Sequence, residues 1–127
     1  MSNYDSVYFA LPAPTAYLTL RNFENTAEVI NVPMLLDTGA DATLLPRIFV
    51  EKLGLPMSST EMFELEAFDK TVSQSAVIRL QMIFAERSFR GEFLIIEQDY
   101  GIIGRNVLNS LKILFDGHKL NWEVLES

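Results

Sequence analysis

The sequence contains no cysteine, a single histidine and few basic residues. Without cysteine there are no disulfides, thiolate nucleophiles or cysteine-rich zinc sites, and nothing requires an oxidising compartment. Ten Lys and Arg against seventeen Asp and Glu give a formal charge of −7, and no local basic cluster offsets it. This charge has the wrong sign for a nucleic-acid backbone or an anionic lipid surface. We therefore predict no nucleic-acid partner and no membrane partner.

The start of the chain lacks the features of a targeting segment. The residues MSNYDSVYFALPAP contain no basic region and no long apolar run, so we predict neither a signal peptide nor a membrane span. A cytoplasmic protein is the expectation. The length of 127 residues is that of one ordinary domain, so residues 1–127 are predicted to form a single domain.

Several kinds of catalytic site are also missing. The one histidine, His118, falls in a predicted turn, where a solvated loop residue is a better interpretation than a base or a metal ligand. A zinc site or a serine triad needs further partner residues for this histidine, and no motif in the sequence supplies them. The GIIG segment lacks the spacing and the lysine of phosphate-binding loops. We predict no metal and no cofactor.

What the sequence does contain is apolar spacing typical of strands. Apolar residues alternate from Ile78 to Phe84 and, after a polar turn around Glu86, again as far as Ile95, which predicts a hairpin. Upstream, residues 16–22 and 27–37 indicate two further strands, and the second runs directly into Asp37.

Two short helices and a final hairpin complete the prediction. One helix is predicted in residues 46–54, with Pro46 at its first position and Gly54 as a left-handed cap, and another in residues 104–111. Residues 112–124 predict a hairpin that turns at Asp116–Gly117, a dipeptide favoured in two-residue turns. The predicted fold class is all-β with one or two short helices.

The segment Asp37-Thr38-Gly39 is the main candidate for chemistry. An acid directly after an apolar strand is desolvated and needs hydrogen bonds, Thr38 offers a hydroxyl, and Gly39 permits close backbone approach. The simpler interpretation is a turn at a strand end, because this tripeptide is expected by chance in about 3 per cent of chains of this length. The tripeptide alone does not decide between them.

A second motif favours a chemical site over a plain turn. Together, LLDTGADATLLP and GIIGRNVLNSL strongly resemble the retropepsin-like aspartic proteases, which carry an apolar pair, Asp-Thr-Gly-Ala-Asp, a flap hairpin, a second apolar pair, Gly-Arg-Asn and a short helix. The resemblance extends from about Tyr17 onward. It implies an acid-protease half-barrel with a flap hairpin. Because the chain has one motif and the chemistry uses two carboxylates, it also implies a homodimer with Asp37 from each subunit.

The resemblance implies a role for each matched residue. The catalytic motif would be Asp37, Thr38 and Gly39, with the two Thr38 hydroxyls interlocked beneath the carboxylates and Gly39 binding substrate backbone. The residues implied in substrate binding are Ala40, Asp41, Ala42, Phe68, Asp69 and Ile103. Arg105 and Asn106 would give structural support, with Arg105 contacting Asp41 and Asn106 supporting the loop around the aspartate.

Two segments depart from the retroviral pattern. The expected flap, FELEAFDKTVSQS, contains no glycine, which predicts a stiffer tip near Phe68 whose side chains reach substrate. The tail ILFDGHKLNWEV resembles retrotransposon and DNA-damage-inducible-type relatives, in which C-terminal strands form the dimer sheet. Pairing through a strand of residues 4–11 is the alternative, and Trp122 is interpreted either as an anchor of the tail or as a plain core residue.

The predicted function is that of a homodimeric aspartic-type endopeptidase, a hydrolase that acts on a peptide or protein substrate. The alternative is a noncatalytic peptide-binding or assembly module that retains the retropepsin fold. The intact Asp-Thr-Gly favours the enzyme, whereas the glycine-free flap leaves room for the binding module.

Overall fold

The structure is a computed structural model that describes residues 2–54, 62–66 and 72–126. Within these ranges the chain forms ten strands and two short helices. The strands are β1 (Ser2–Asp5), β2 (Ala13–Arg21), β3 (Glu28–Leu36), β4 (Leu44–Pro46), β5 (Met62–Glu66), β6 (Val72–Phe84), β7 (Arg87–Ile96), β8 (Gly101–Ile103), β9 (Lys112–Asp116) and β10 (Asn121–Leu125). The helices are α1 (Arg47–Glu51) and α2 (Arg105–Leu108). None of the helices in these ranges has the length and apolar character needed to cross a bilayer.

The strands form one sheet in the order β5-β6-β7-β4-β8-β3-β2-β1-β10-β9. An additional pairing between β6 and β2 curls the sheet into a barrel-like shape. The prediction of an all-β fold with two short helices is therefore confirmed.

The predicted strands owe their positions to alternating apolar side chains. In β2, Ala16 and Leu18 are buried while Tyr17 between them is exposed, as period two requires. The hairpin of β6 and β7 turns at Ala85 and Glu86, which both have positive φ, the conformation of the tight turn that matches strand twist. The predicted strand at β2 and the predicted hairpin of β6 and β7 are both confirmed.

The helices also lie where they were predicted. Pro46 is the residue before α1 and not its first helical residue, a shift of one position at a boundary that is intrinsically soft. Gly54 has φ +71, so the predicted left-handed cap is present.

The C-terminal hairpin of β9 and β10 is present, but the predicted two-residue turn is wrong. Asp116 pairs with Asn121, so four residues form the loop. The Asp116 carboxylate accepts a hydrogen bond from the Lys119 backbone N–H at 3.0 Å, and Leu120 closes the loop with positive φ. The side chain of Asp116 thus stabilises a longer turn. His118 is exposed in this loop, as predicted.

Trp122 holds the hairpin to the body of the same chain. The residue is 4% exposed, its ring lies 6.0 Å from the ring of Phe84, and its Nε1–H donates to the Thr15 carbonyl at 2.9 Å. Trp122 is therefore both a core residue and an anchor.

The N-terminal strand is shorter than the alternative strand considered from the sequence. Only Ser2–Asp5 is extended, with β10 on one side and β2 on the other, and residues 6–12 are irregular. The predicted strand over residues 4–11 is wrong, because Asp5 caps a bend by accepting hydrogen bonds from the N–H groups of Val7 and Tyr8.

The centre of the sheet positions the Asp-Thr-Gly segment. β3 lies between β2 and β8, and the parallel pairing of Leu36 with Ile103 brings the ends of β3 and β8 together. Both motifs identified in the sequence leave the sheet at this point. They are therefore adjacent in space although Ile103 lies 64 positions after Gly39 along the chain.

Candidate active site

Asp37 is held at the end of β3 by backbone and side-chain hydrogen bonds. Its N–H donates to the Ile103 carbonyl at 3.0 Å, which extends the β3–β8 ladder by one residue. Its carboxylate oxygen Oδ1 accepts a hydrogen bond from the Gly39 N–H at 2.9 Å. The side chain is half-buried. A carboxylate with one fixed donor and partial access to solvent is suited to contact a ligand that approaches from outside.

The turn after Asp37 is closed by its own backbone and by the second motif. The Ala40 N–H donates to the Asp37 carbonyl at 3.2 Å, and the Arg105 N–H donates to the Ala40 carbonyl at 2.8 Å. A Cβ atom at Gly39 would lie 3.2 Å from Asp37 Oδ1, tighter than an ordinary contact. Glycine at this position therefore leaves the carboxylate uncrowded.

The two motifs approach each other most closely at Gly104. A Cβ atom there would lie 2.2 Å from the carbonyl oxygen of Ala42 and 2.9 Å from its nitrogen. These are backbone atoms, which cannot rotate away. Gly104 is thus required for the two loops to pack, and this contact was not predicted from the sequence.

Thr43 is a second supporting residue that sequence reasoning missed. Its side chain is almost fully buried; the hydroxyl donates to Asn106 Oδ1 at 2.7 Å and accepts from the Gly104 N–H at 3.1 Å. The only available signal was a hydroxyl within the apolar stretch ATLLP, where a buried polar group needs partners. Through Thr43, Asn106 supports the loop after the aspartate.

Arg105 contacts a different residue from the one expected. Its Nη1 donates to the Thr38 carbonyl at 2.8 Å, and within the described single chain it forms no ion pair with the exposed Asp41. The guanidinium thus crosses from the start of α2 to the Asp-Thr-Gly turn. It fixes the backbone of Thr38 and leaves Asp41 solvated.

The remaining residues implied in the site differ in their exposure. Thr38 and Asp41 are exposed, while Ala40 and Ala42 are half-buried. Ile103 is fully buried, so its side chain packs in the core and its carbonyl, not its side chain, serves the site. The part in substrate binding that the resemblance implies for Ile103 stays a prediction. Phe68 and Asp69 lie outside the described residues.

The described part of the chain brings together one carboxylate with backbone donors and small apolar neighbours. No cluster of three or more potential metal ligands occurs in that part. A single carboxylate can take a proton from a bound water, but it cannot at the same moment protonate a substrate carbonyl. Hydrolysis would therefore need a second proton donor.

No protein-family model matches the sequence, and no curated protein sequence matches it significantly. Among solved structures, the chain is similar to the EIAV protease in complex with an inhibitor, with a TM-score of 0.59 and 18% sequence identity. The similarity covers 77% of this chain and 86% of that chain. At this identity the likeness concerns the fold alone: the chain has a retropepsin-like fold.

Proposed function

We propose that the protein is a homodimeric aspartic endopeptidase in which each subunit supplies Asp37. The main observation behind this proposal is that Asp37 lies at the end of β3 in a retropepsin-like fold. There it is half-buried and accepts a hydrogen bond from the N–H of Gly39. Arg105 donates to the Thr38 carbonyl, and Gly104 contacts the backbone of Ala42 and donates to Thr43, so the second motif supports the segment that follows Asp37. Such preorganisation of a reacting group is what catalysis requires.

In the proposed mechanism the two Asp37 carboxylates share one proton and hold a water between them. The ionised carboxylate takes a proton from the water as its oxygen attacks the peptide carbonyl carbon. The protonated carboxyl gives its proton to the carbonyl oxygen, forming a tetrahedral diol. Proton transfer to the amide nitrogen then allows the C–N bond to break, giving a carboxylic acid and an amine. Thr38 and Gly39 are proposed to orient the dyad and the substrate backbone.

The edge strand β9 is the proposed dimer contact. β10 has neighbours on both sides within the chain, β9 and β1, whereas β9 is the last strand of the described sheet. Leu114 and Phe115 on β9 are 48% and 37% exposed. An exposed strand edge with apolar side chains is a template for pairing with a second chain.

The sequence of β9, Lys-Ile-Leu-Phe-Asp, is complementary to itself in the antiparallel direction. Pairing centred on Leu114 places Lys112 opposite Asp116 of a second copy at both ends of the strand. It also places Ile113 opposite Phe115. A two-fold interface requires this kind of self-complementarity, and cross-strand opposite charges and apolar pairs both favour it.

The proposed substrate is a peptide segment with apolar side chains near the cleaved bond. Ala40 and Ala42 are small, apolar and half-buried beside Asp37, and Asp41 next to them is exposed. The cytoplasm is the proposed compartment, because the cysteine-free chain needs no oxidising environment.

The test is digestion of a randomised octapeptide library by the purified protein and by Asp37→Asn, with and without a statine-type transition-state mimic. Cleavage by wild type that the mimic blocks and that Asp37→Asn lacks supports the proposal. Residual cleavage by Asp37→Asn within about tenfold of wild type contradicts the aspartic mechanism. Peptide binding without cleavage by wild type identifies the alternative, a noncatalytic peptide-binding module.

A further inference from the structure

The row of strands beside β2 is interrupted halfway along that strand. On the side away from β3, β1 pairs with residues 13–14 of β2 and β6 pairs with residues 19–21. Residues 15–18 have no paired partner on that side among the described strands. A cavity of about 670 Å³ opens at this interruption, a volume within the range of small-molecule binding sites.

Strand pairing and one indole ring account for the interruption. β6 leaves β2 because its hairpin turns at Ala85, which has φ +53. Ser2 and Asn3, at the start of β1, pair with β10. The Trp122 Nε1–H donates to the Thr15 carbonyl at 2.9 Å, so an indole and not a strand satisfies this carbonyl. The cavity therefore follows from how the described strands pair.

One end of the cavity is aromatic. Trp122 and Phe84 are buried and form its inner wall, with their rings 6.0 Å apart. Tyr17, which is 63% exposed, lines the cavity where it meets solvent. Such a wall favours an apolar or aromatic group, and the faces of its rings also attract cations.

The other end of the cavity carries a negative charge. Asp5 is the one charged side chain among the described residues that line the cavity. Its Oδ1 accepts hydrogen bonds from the Val7 N–H at 2.6 Å and from the Tyr8 N–H at 2.9 Å. None of the described residues donates to its second oxygen, Oδ2. The backbone therefore holds the carboxylate in place and leaves one oxygen to accept a hydrogen bond from a ligand.

Strand register sets the distance between the two ends. Asp5 pairs with Ala13, and Tyr17 is four residues further along β2, which corresponds to about 14 Å. Ala16 and Leu18 are buried, so Ala13 and Tyr17 are directed to the outer face, and Asp5 shares the face of its partner Ala13. A ligand that contacts both ends is therefore elongated and carries its charge at one end.

We propose that this cavity binds an organic ammonium ion with an elongated apolar body, the ammonium on Asp5 Oδ2 and the body against Tyr17 and Trp122. The proposal does not depend on the function proposed for Asp37. A neutral ligand leaves the carboxylate without a counter-charge, and an anion is repelled by Asp5 and by the net charge of −7. A free amine and a lysine side chain beside an apolar residue share this chemistry, so the test includes both.

The test uses the fluorescence of Trp122, which is the only tryptophan of the chain and forms part of the cavity wall. Wild type is titrated with phenylbutylammonium, with phenylbutanol as the neutral isostere and with phenylbutanoate as the anion. The amide signals of Val7 and Thr15 in NMR spectra locate the binding, because both residues line the cavity. A capped dipeptide of phenylalanine and lysine, compared with its norleucine analogue, tests a peptide as the source of the ammonium group.

The main variant is Asp5→Asn, which removes the charge but keeps an Oδ1 acceptor for the N–H groups of Val7 and Tyr8. The matched control is Glu24→Gln, at an exposed position outside the lining, because it changes the net charge by the same amount. We expect wild type and Glu24→Gln to bind phenylbutylammonium about tenfold more tightly than phenylbutanol, and Asp5→Asn to lose that preference. Tyr17→Ala should weaken the binding of both compounds, because it removes apolar contact area.

No saturable binding of phenylbutylammonium to wild type overturns the proposal, as does binding no tighter than that of phenylbutanol or phenylbutanoate. A preference for the ammonium that Asp5→Asn retains, or binding that leaves the Val7 and Thr15 amide signals unchanged, also overturns it. Tighter binding of the lysine dipeptide than of its norleucine analogue supports a peptide source, and binding of the free amine alone supports a small molecule. Should Asp5→Asn fail to fold by circular dichroism, the wild-type preference and the amide signals decide.

Discussion

At the scale of single residues, the site depends on Gly104, a glycine of the second motif to which the sequence analysis assigned no role. Gly104 allows the backbone of the second motif to contact the backbone of Ala42, and the Arg105 N–H is thereby within 2.8 Å of the Ala40 carbonyl. Glycine occupies such positions because any Cβ atom would separate the two chain segments. The absence of a side chain at Gly104 thus allows the second motif to pack against the Asp37 turn.

Gly104→Ala is expected to lower the free energy of unfolding by about 1–3 kcal/mol and to reduce peptide cleavage, because the new methyl group overlaps backbone atoms of Ala42. Urea denaturation measures the first effect and cleavage of a library-derived peptide the second. Gly117→Ala is the matched control: a Cβ atom there meets nothing within 4 Å. Equal stability of the two variants would show that the loops separate without cost.

Thr43→Val tests the buried hydroxyl. The substitution keeps the shape but removes the acceptor of the Gly104 N–H and the donor to Asn106. Leaving buried polar groups unpaired costs about 1–3 kcal/mol, so we expect a loss of stability of that size. Thr19→Val, on β2 and outside the site, should change stability by less than about 0.5 kcal/mol. A Thr43→Val protein as stable as wild type in urea would contradict a supporting role.

At the scale of elements, the edge of β9, the last strand of the described sheet, is where we propose that two copies of the chain meet. The notion that the whole C-terminal hairpin pairs across a two-fold axis needs revision, since β10 is already paired on both sides within its own chain. Deleting the hairpin would also remove Trp122, which is bonded to the Thr15 carbonyl. A point substitution on β9 is therefore the cleaner test of assembly.

Leu114→Asp should convert the dimer to monomer. On a two-fold axis the substitution removes two apolar contacts and places two carboxylates opposite each other, which costs about 3 kcal/mol, or about a hundredfold in the dimer Kd. Sedimentation equilibrium measures the dimer Kd. Leu120→Asp is the control, because Leu120 is also exposed on this hairpin but lies in its turn. Dimers of Leu114→Asp that match wild type would place the interface elsewhere.

Elements with a clear apolar period or a glycine cap were predictable from the sequence, and features set by the hydrogen bonds of single side chains were not. Alternation in β2, β3, β6 and β7 and the Gly54 cap identified strands and a helix end correctly. The longer turn at Asp116, the coil after Asp5 and the hydrogen bonds of Thr43 depend on side chains that bond to backbone or to residues far along the chain. Period and propensity contain no information about such bonds. The same limit applies to Arg105, whose partner is the Thr38 carbonyl.

At the scale of the whole molecule, one Asp-Thr-Gly motif per chain ties proposed catalysis to association. A monomer holds one carboxylate, and the proposed chemistry requires two that share a proton. Specific activity should therefore rise with protein concentration until the dimer saturates. The fold alone does not make activity depend on concentration, because the described strands already form one sheet within the single chain.

Mixing the wild type with Asp37→Asn tests this dependence directly. If subunits exchange freely and a mixed dimer with one Asp37 is inactive, a threefold excess of variant should reduce the activity of a fixed amount of wild type to about one quarter, because only that share of wild-type subunits finds a wild-type partner. The matched control is the Asp37→Asn, Leu114→Asp double variant. It carries the same inactive site but pairs more weakly through β9, so at the same excess it should reduce the wild-type rate less than the single variant does. The rate of cleavage of one fluorogenic peptide, measured after overnight mixing, gives the activity of the wild type with the single variant and with the double variant. Undiminished activity with the single variant, despite exchange shown by mixed dimers in native mass spectrometry, would mean that one aspartate suffices, and the shared-proton mechanism would have to be abandoned.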